Sequence, residues 1–219
     1  MRVAVISDVH CSGRSCERQR EFIAWLDELE VDSLWMLGDI FHYGWDFGAQ
    51  IQSDFEPVFQ AVDRLVDRGV ELRFVPGNHD FCIGPLVRNR WKAIVHGPQI
   101  CEVDGRHIYL GHGDEFDTTL GYRMLKAILR SGGFRWMMAC MGPRLGTALL
   151  RLLAGPPPRT GESLWPSIQK QVSAQLKGAD MVIVGHAHVA WEQHTGLGVA
   201  LVLGPGVSGA RLILDGELC

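Results

Sequence analysis

The sequence predicts an α/β fold in which a largely parallel sheet at the start of the chain is flanked by helices. Two observations support this prediction. Short apolar runs alternate with stretches of helical periodicity over residues 1–75, and glycine-containing polar motifs directly follow the apolar runs. A third observation sets a second region apart, because residues 118–154 are helical in pattern and contain no strand signal.

The first part of the chain alternates strand and helix. Residues 3–6 form an apolar run typical of a buried strand, and apolar side chains at helical spacing over residues 15–30 predict a helix. Gly69 stands where the C-terminal cap of the next helix is expected. In order, the remaining predictions here are a strand at 33–37, a helix at 57–68 and a strand at 72–75.

The second part of the chain departs from this alternation. Asp104-Gly105 lies between two apolar runs and is typical of a two-residue hairpin turn. A Gly-Pro-Pro-Pro break at 155–158 separates the central helical stretch from a further predicted helix at about 163–177. The strands predicted here are at residues 100–103, 107–110, 181–184, 199–203 and 211–214.

The composition is that of an ordinary globular protein. The 219 residues are 47% hydrophobic and 21% charged, and the net charge of -4 leads us to expect no nucleic-acid partner. The N-terminal apolar run reaches Asp8 too soon for a signal peptide. The six cysteines form no CxxC pair, so we expect free thiols and a cytoplasmic protein.

Five short polar motifs carry the candidate ligands, and each directly follows a predicted strand. In open α/β sheets ligands bind beyond the carboxyl ends of the strands, so we expect these motifs to converge. Most of them, taken alone, are also typical of turns, but their joint occurrence favours one shared site. Carboxylate, imidazole and amide groups without a thiolate suit Mn²⁺, Fe or Zn²⁺. The motifs are Asp8-Val9-His10, Gly38-Asp39, Gly77-Asn78-His79-Asp80, Gly111-His112-Gly113 and Gly185-His186-Ala187-His188.

This set of motifs resembles that of the calcineurin-like metallophosphoesterases, over about residues 1–118 and 178–219. The resemblance implies a four-layer α+β sandwich of two sheets flanked by helices. It also implies two divalent metal ions, for which we expect Mn²⁺ first and Fe or Zn²⁺ as alternatives. Carried over by motif, one ion would be held by Asp8, His10 and His188, the other by Asn78, His112 and His186, and Asp39 would bridge both.

Two further residues are candidates for catalysis. Two divalent ions can hold the phosphoryl oxygens and acidify an attacking water, which leaves the departing oxygen in need of a proton. His79 lies beside a predicted ligand without being one, so we expect it to donate that proton, with Asp80 orienting it. The other histidines match no motif, and we expect them to be packed in the core or placed on the surface. They are His42, His96, His107 and His194.

The long helical stretch between the last two motifs narrows the substrate class. Protein phosphatases of this superfamily carry an Arg after their Gly-Asp motif, whereas this chain continues Ile40-Phe41-His42. The layout resembles the UDP-2,3-diacylglucosamine pyrophosphatases of lipid A synthesis, which release UMP and an acylated sugar phosphate. That resemblance implies one domain over residues 1–219, with a helical cap inserted at about 118–165. It makes Tyr122, Arg123 and Lys126 candidate substrate contacts.

One departure keeps alternatives open, because the best-known members of that family have Arg where this chain has His79. A phosphodiesterase for a soluble nucleotide or other phosphodiester is the second hypothesis, and a scaffold without catalysis is the third. The apolar, Arg-rich pattern of the cap predicts binding to acyl chains and peripheral association with the inner membrane. Alternatively, the same side chains pack only as core. The sequence leaves the oligomeric state open.

Overall fold

The computed structural model describes residues 1–47, 52–117, 119–155, 165–214 and 217–218. Its strands are β1 Arg2–Ile6, β2 Ser33–Met36, β3 Glu71–Phe74, β4 Ile94–Val95, β5 Gln99–Val103, β6 Arg106–Leu110, β7 Met181–Val184, β8 Trp191–Thr195, β9 Gly198–Val202, β10 Arg211–Leu214 and β11 Glu217–Leu218. Its α-helices are α1 Glu17–Glu28, α2 Glu56–Asp67, α3 Gly84–Trp91, α4 Leu120–Leu129, α5 Gly132–Ala154 and α6 Trp165–Gln175.

The strands form two mixed sheets. The first has the order β11-β10-β1-β2-β3-β4, in which β1 to β4 run parallel and β10 pairs antiparallel with β1. The second has the order β5-β6-β7-β9-β8, with β6, β7 and β9 parallel. The predicted hairpin joins β5 to β6 through Asp104 and Gly105, which both have positive φ as a type I′ turn requires.

The sheets pack face to face, and helices cover their outer faces. Alternate residues of β1 divide between two cores: Val3 and Val5 face the second sheet, whereas Ala4 and Ile6 face helices α1 to α3. Helix α6 covers the outer face of the second sheet, where Val182 belongs to its core. The four layers confirm the predicted fold class.

Several elements differ from the sequence prediction. Helix α3, the short strands β4 and β11, and strand β8 were not predicted. Strand β8 reads Trp-Glu-Gln-His-Thr and lies at the edge of its sheet with mostly exposed side chains, so it lacks the apolar pattern of a buried strand. Helix α3 is short and polar on average, which leaves little helical periodicity to detect.

Helices α4 and α5, here called the α4–α5 segment (Leu120–Ala154), fill most of the predicted cap region. Residues 118 and 156–164 of that region lie outside the described residues. Helix α5 is broken at Gly142, which has a φ of 68° and precedes Pro143. Met138 and Leu150 are fully buried against the core beneath α1 to α3, which fixes one face of α5 to the rest of the protein. Within the described residues, no helix is both long and apolar enough to cross a bilayer.

Candidate active site

The five motifs follow β1, β2, β3, β6 and β7, so the carboxyl ends of strands from both sheets meet at one place. The structure brings together Asp8, His10 and His188, whose ligand atoms all lie within 4.8 Å of one another. The Nε2 atoms of His10 and His188 are 3.2 Å apart, and the Nε2 atom of His188 lies 3.3 Å from Asp8 Oδ1. These are the three residues predicted for the first metal ion.

A second group lies beside the first. It contains Asp39, His112 and His186, again within 4.8 Å, and Asn78 Oδ1 lies 3.3 Å from His112 Nε2. Asp39 stands between the groups, because its Oδ2 atom is 3.5 Å from His112 Nε2 and 3.7 Å from His10 Nε2. The structure therefore collects all seven predicted ligands, with Asp39 in the position expected of a shared one.

The backbone at this site is held in unusual conformations. Seven described non-glycine residues have positive φ, and five of them belong to the predicted ligand set. Such left-handed conformations cost energy in non-glycine residues and persist where the surrounding structure imposes them, most often at functional sites. The five are Asp8, His10, Asp39, His186 and His188.

Two glycines let the motif loops approach one another closely. A Cβ atom on Gly77 would lie 2.2 Å from Asp39 Oδ1, and one on Gly185 would lie 2.4 Å from Asp8 Oδ2. Both distances are far below van der Waals contact, so any side chain there would displace a predicted ligand. The glycines of these motifs are therefore steric requirements of the site.

Buried charge defines the electrostatics of the site. Burial by itself raises the pKa of Asp39, but the charge and hydrogen bond of His112 outweigh it and hold that pKa well below its ordinary range. Burial likewise lowers the pKa of His112, and the Asp39 charge reverses the shift to a net increase. Burial lowers the pKa of His10 to about 3, so this imidazole is neutral at neutral pH. Anionic carboxylates beside the neutral His10 imidazole favour added positive charge, and a bound cation would displace the proton that His112 carries in its absence.

The donor set fits divalent cations. Asp8 Oδ1 is buried and has no hydrogen-bond partner in the described part of the chain, which is costly unless a cation satisfies it. His112 donates its Nδ1 hydrogen to the Leu37 carbonyl oxygen at 2.8 Å, so its Nε2 atom faces Asp39 and is the nitrogen that can bind a cation once it has lost its proton. Oxygen and imidazole ligands of this kind suit Mn²⁺, Fe and Zn²⁺.

Asp80 joins two of the motif loops. Its carboxylate is buried and accepts hydrogen bonds from the backbone N–H groups of Asp39, Phe41 and Gly77, at 2.7, 3.0 and 3.1 Å. Burial and the Asp39 charge raise the pKa of Asp80 to about 7. Among the described residues no hydrogen bond joins Asp80 to the His79 ring, and the orienting role of Asp80 stays a prediction. The contacts present connect the second and third motif loops.

His79 lies at the rim of the two groups, as a proton donor to a leaving group should. Its Nδ1 atom donates to the His42 carbonyl oxygen at 3.0 Å, and its backbone N–H donates to Asp39 Oδ1 at 2.8 Å. The Nε2 atom has no hydrogen-bond partner among the residues described, and the side chain lines a cavity beside the site. The assignment of His79 as a proton donor stays a prediction.

His42 is the residue that the sequence analysis missed. It matches no motif, yet its side chain is only 3% exposed and its ring stacks on that of His79 at a centroid distance of 4.8 Å. Its Nδ1 atom lies 3.2 Å from Nδ1 of His10. The sequence signal was weak, since His42 stands three residues after Asp39 in a loop whose path depends on contacts distant in sequence.

The three predicted substrate contacts lie near one another on α4, and two of them reach the site. Tyr122 and Lys126 line a cavity of about 230 Å³ that also contacts Asn78 and His79. Arg123 is exposed and borders a neighbouring depression together with Tyr122 and Lys126, but it does not line this cavity. The Tyr122 hydroxyl and the Lys126 ammonium group both donate to Asp114, a buried carboxylate. These two hydrogen bonds connect α4 to the loop after His112. Substrate contact by any of the three stays a prediction.

Comparisons with known proteins agree with this geometry. A family model of calcineurin-like phosphoesterases matches residues 1–190. The chain is 29% identical over 205 residues to the UDP-2,3-diacylglucosamine hydrolase of Aeromonas salmonicida, a match covering 86% of this chain and 78% of that protein. It is 27% identical over 170 residues to the protein of the same name from Porphyromonas gingivalis, covering 74% of this chain and 65% of the relative.

Among solved structures, a novel archaeal phosphodiesterase superposes with a TM-score of 0.50 at 12% sequence identity, covering 100% of this chain and 98% of the other. This likeness concerns the fold alone. The family model, in contrast, spans the strands and motif loops that form the site, up to and beyond His188. The chain belongs to the calcineurin-like phosphoesterases, hydrolases of phosphoric ester and anhydride bonds that use divalent metal ions.

Proposed function

We propose that this chain is a two-metal pyrophosphatase that hydrolyses UDP-2,3-diacylglucosamine to UMP and the acylated sugar 1-phosphate. The observation that carries the proposal is one cavity that joins the polar centre to an apolar wall. Its lining includes Asn78 and His79 from the third motif together with Phe81 and apolar side chains of the α4–α5 segment. A substrate that joins a pyrophosphate to acyl chains needs both surfaces next to each other.

The cavity is amphiphilic in its lining. Its apolar residues are Phe81, Leu125, Leu129, Leu153 and Ala154, and its polar residues are Asn78, His79, Tyr122, Lys126 and Arg130. Lys126 on α4 and Arg130 at its C-terminal cap line the same cavity as the predicted metal ligand Asn78, where they would bind the phosphate groups of a substrate. We infer that the α4–α5 segment acts as the cap of a single domain and supplies the acyl-binding surface.

The proposed chemistry assigns each residue a separate task. Two divalent ions, for which we propose Mn²⁺, would stabilise charge on the phosphoryl oxygens and acidify the attacking water. Asp8, His10 and His188 would hold one ion, and Asn78, His112 and His186 the other, with Asp39 shared. His79 would donate a proton from Nε2 to the departing phosphate oxygen, because its Nδ1 atom is already engaged with a carbonyl group.

The charge and exposure of the α4–α5 segment support a lipid partner. The segment contains six basic side chains and no acidic one, whereas the whole chain has a net charge of -4. It also exposes large apolar side chains, among them Leu120 at 73%, Trp136 at 71% and Leu152 at 78%. An apolar and basic surface is suited to an interface with anionic lipid, so we propose peripheral association with the inner membrane through this segment.

The names of the relatives support the same substrate, since both sequence relatives described above are called UDP-2,3-diacylglucosamine hydrolases. The direct test is release of UMP from UDP-2,3-diacylglucosamine by purified protein with added Mn²⁺. We expect turnover that a chelator abolishes and that Mn²⁺ restores. Absence of turnover above the metal-only background would contradict the proposed substrate. Hydrolysis of bis-p-nitrophenyl phosphate in the same preparation would then assign the activity to a soluble phosphodiester.

A further inference from the structure

His42, in the loop after β2, makes short contacts with two other parts of the molecule. Its ring lies between His10, in the first predicted metal group, and Gly155, the residue after the end of α5. The His42 Nδ1 atom is 3.2 Å from His10 Nδ1, and its Nε2 atom is 2.8 Å from the Gly155 carbonyl oxygen. Each ring nitrogen of this buried imidazole therefore has a partner on a different side.

The chemistry of these partners fixes where the hydrogen atoms lie. A carbonyl oxygen only accepts, so His42 carries its hydrogen on Nε2 and donates it to Gly155. The neutral ring then offers a lone pair at Nδ1, which accepts from Nδ1–H of His10. His10 is thereby left with a lone pair on Nε2, the atom that faces Asp39 and His188. This is the tautomer that a metal ligand requires.

The far end of this chain of hydrogen bonds is Gly155, the residue that directly follows the α4–α5 segment. Gly155 has a φ of 66°, a conformation that favours glycine and that sets the direction of its carbonyl group. The last turns of α5 are fixed nearby, because Leu150 is fully buried in the core and Arg151 forms an ion pair with Asp54. The position of the carbonyl oxygen thus depends on how the end of α5 is seated.

We propose that His42 is a positioning residue that links the seating of α5 to metal binding by holding His10 in its ligand tautomer. The inference rests on the proposed metal centre. Histidine ligands usually donate their second N–H to a carboxylate, a backbone carbonyl or water, and these partners affect metal affinity. Here the partner is a second imidazole, and that imidazole is in turn oriented by the α4–α5 segment.

The test is calorimetric titration of the metal-free full chain with Mn²⁺. His42→Phe keeps a planar ring against His79 but removes both nitrogen atoms, and we expect its affinity for Mn²⁺ to fall by about 10- to 100-fold. His42→Asn places an amide oxygen where Nδ1 lies, so it should retain most of the affinity. If the His42→Phe variant binds Mn²⁺ within about twofold of wild type, the inference is wrong, since the affected contact is worth at least tenfold elsewhere.

Coupling to α5 is tested by combining substitutions. Gly155→Ala introduces a Cβ atom that meets nothing within 4 Å, so it perturbs only the backbone. We expect it to weaken Mn²⁺ binding in wild type and to have no further effect in His42→Phe. Gly69→Ala is the matched control, because Gly69 also has positive φ and open space around it but ends α2 far from this chain of bonds. Additive effects of Gly155→Ala and His42→Phe would overturn the coupling.

A spectroscopic measurement separates this role from general loss of structure. In the Zn²⁺-loaded protein, imidazole ¹⁵N spectra should report Nδ1–H for His10 and Nε2–H for His42. The reverse tautomers would overturn the inference even if every variant folds. If the wild-type protein binds no divalent ion, the proposed function itself fails. If the wild-type protein binds Mn²⁺ and the His42 variants bind it equally well, only the inference about His42 fails.

Discussion

The predicted metal centre and the α4–α5 segment are built in opposite ways. The centre buries polar side chains on strained backbone, and five of its residues have positive φ. The segment exposes apolar side chains on helices, such as Trp136 and Leu152. In the centre, a displacement of one loop changes the chemistry, whereas in the segment the summed apolar area and charge matter more than any one contact. In the proposed function, the centre carries out the reaction and the segment selects the molecules that reach it.

The largest effect is expected from the residue shared by the two groups of the centre. Asp39→Asn keeps the shape of the side chain but removes the charge that faces both His10 and His112. We expect kcat/KM to fall by about 10³-fold or more, beyond the roughly 10- to 100-fold typical of residues that only support a ligand. Metal content measured by elemental analysis should fall with it. Asp27→Asn, which breaks an exposed pair with Arg64, is the control and should leave both unchanged.

A smaller effect is expected for His79→Gln, since it removes the proposed proton donor without removing a ligand. We expect kcat to fall by about 10²-fold on the natural pyrophosphate, with Mn²⁺ affinity retained. A p-nitrophenyl ester should be affected much less, because its leaving group needs no proton. Equal losses on both substrates would contradict the donor role. His107→Gln, an exposed histidine on β6, is the control.

The two regions should also differ in their response to acid. Burial lowers the pKa of His10 to about 3 in the folded protein, against 6.5 for the ordinary group. Between these values the unfolded chain binds a proton that the folded metal-free protein does not, so stability falls as pH falls from 6.5 towards 3. One such group contributes a slope of about 1.4 kcal/mol per pH unit.

Urea unfolding of the metal-free protein at several pH values measures this slope. In His10→Gln, the slope of the free energy of unfolding against pH should be smaller than in wild type. An unchanged slope would mean that groups other than His10 cause the acid sensitivity. The α4–α5 segment contains no histidine and no acidic residue, so substitution of its exposed apolar side chains, which carry no charge, should leave the dependence of the free energy of unfolding on pH unaltered in this range.

The smallest effect is expected from the exposed apolar side chains of the segment. The double variant Trp136→Ser, Leu152→Ser should bind anionic lipid vesicles about 30-fold less tightly, because each side chain contributes roughly 1 kcal/mol on partial burial and about 1.4 kcal/mol corresponds to tenfold in affinity. Its free energy of unfolding should stay within about 0.5 kcal/mol of wild type, as expected for exposed positions. Leu197→Ser, at an exposed side chain in the β8–β9 turn, is the matched control. Unchanged vesicle binding would exclude these side chains from the interface.

Much of the fold could be predicted because its signals are local. The buried strands β1, β2, β3, β6 and β7 are apolar runs stopped by glycine and polar residues, so both the strands and the convergence of their ends follow from the sequence. Strand β8 could not be predicted in the same way, since it is stabilised by pairing with β9 and its own side chains are mostly exposed.

The residues of the predicted metal centre also differ in whether their signals are local in the sequence. Residues that belong to short motifs, such as Asp8 and His186, could be found from order and spacing. The roles of His42 and Asp80 could not, because they depend on partners brought near by folding: the Gly155 carbonyl oxygen in one case and backbone N–H groups of the second motif loop in the other. Nothing in the local sequence distinguishes such a histidine or aspartate from an ordinary core residue.

The contact between His10 and His188 has a consequence for the synthesis of the protein on the ribosome. The two residues are 178 positions apart, yet they belong to the same predicted metal group. A ribosome must therefore translate and release almost the entire sequence before this group can exist. Until then the emerging N-terminal half carries only part of each predicted ligand set. If the proposed metal centre holds, metal loading, and with it hydrolytic activity, would be confined to chains whose synthesis has passed His188.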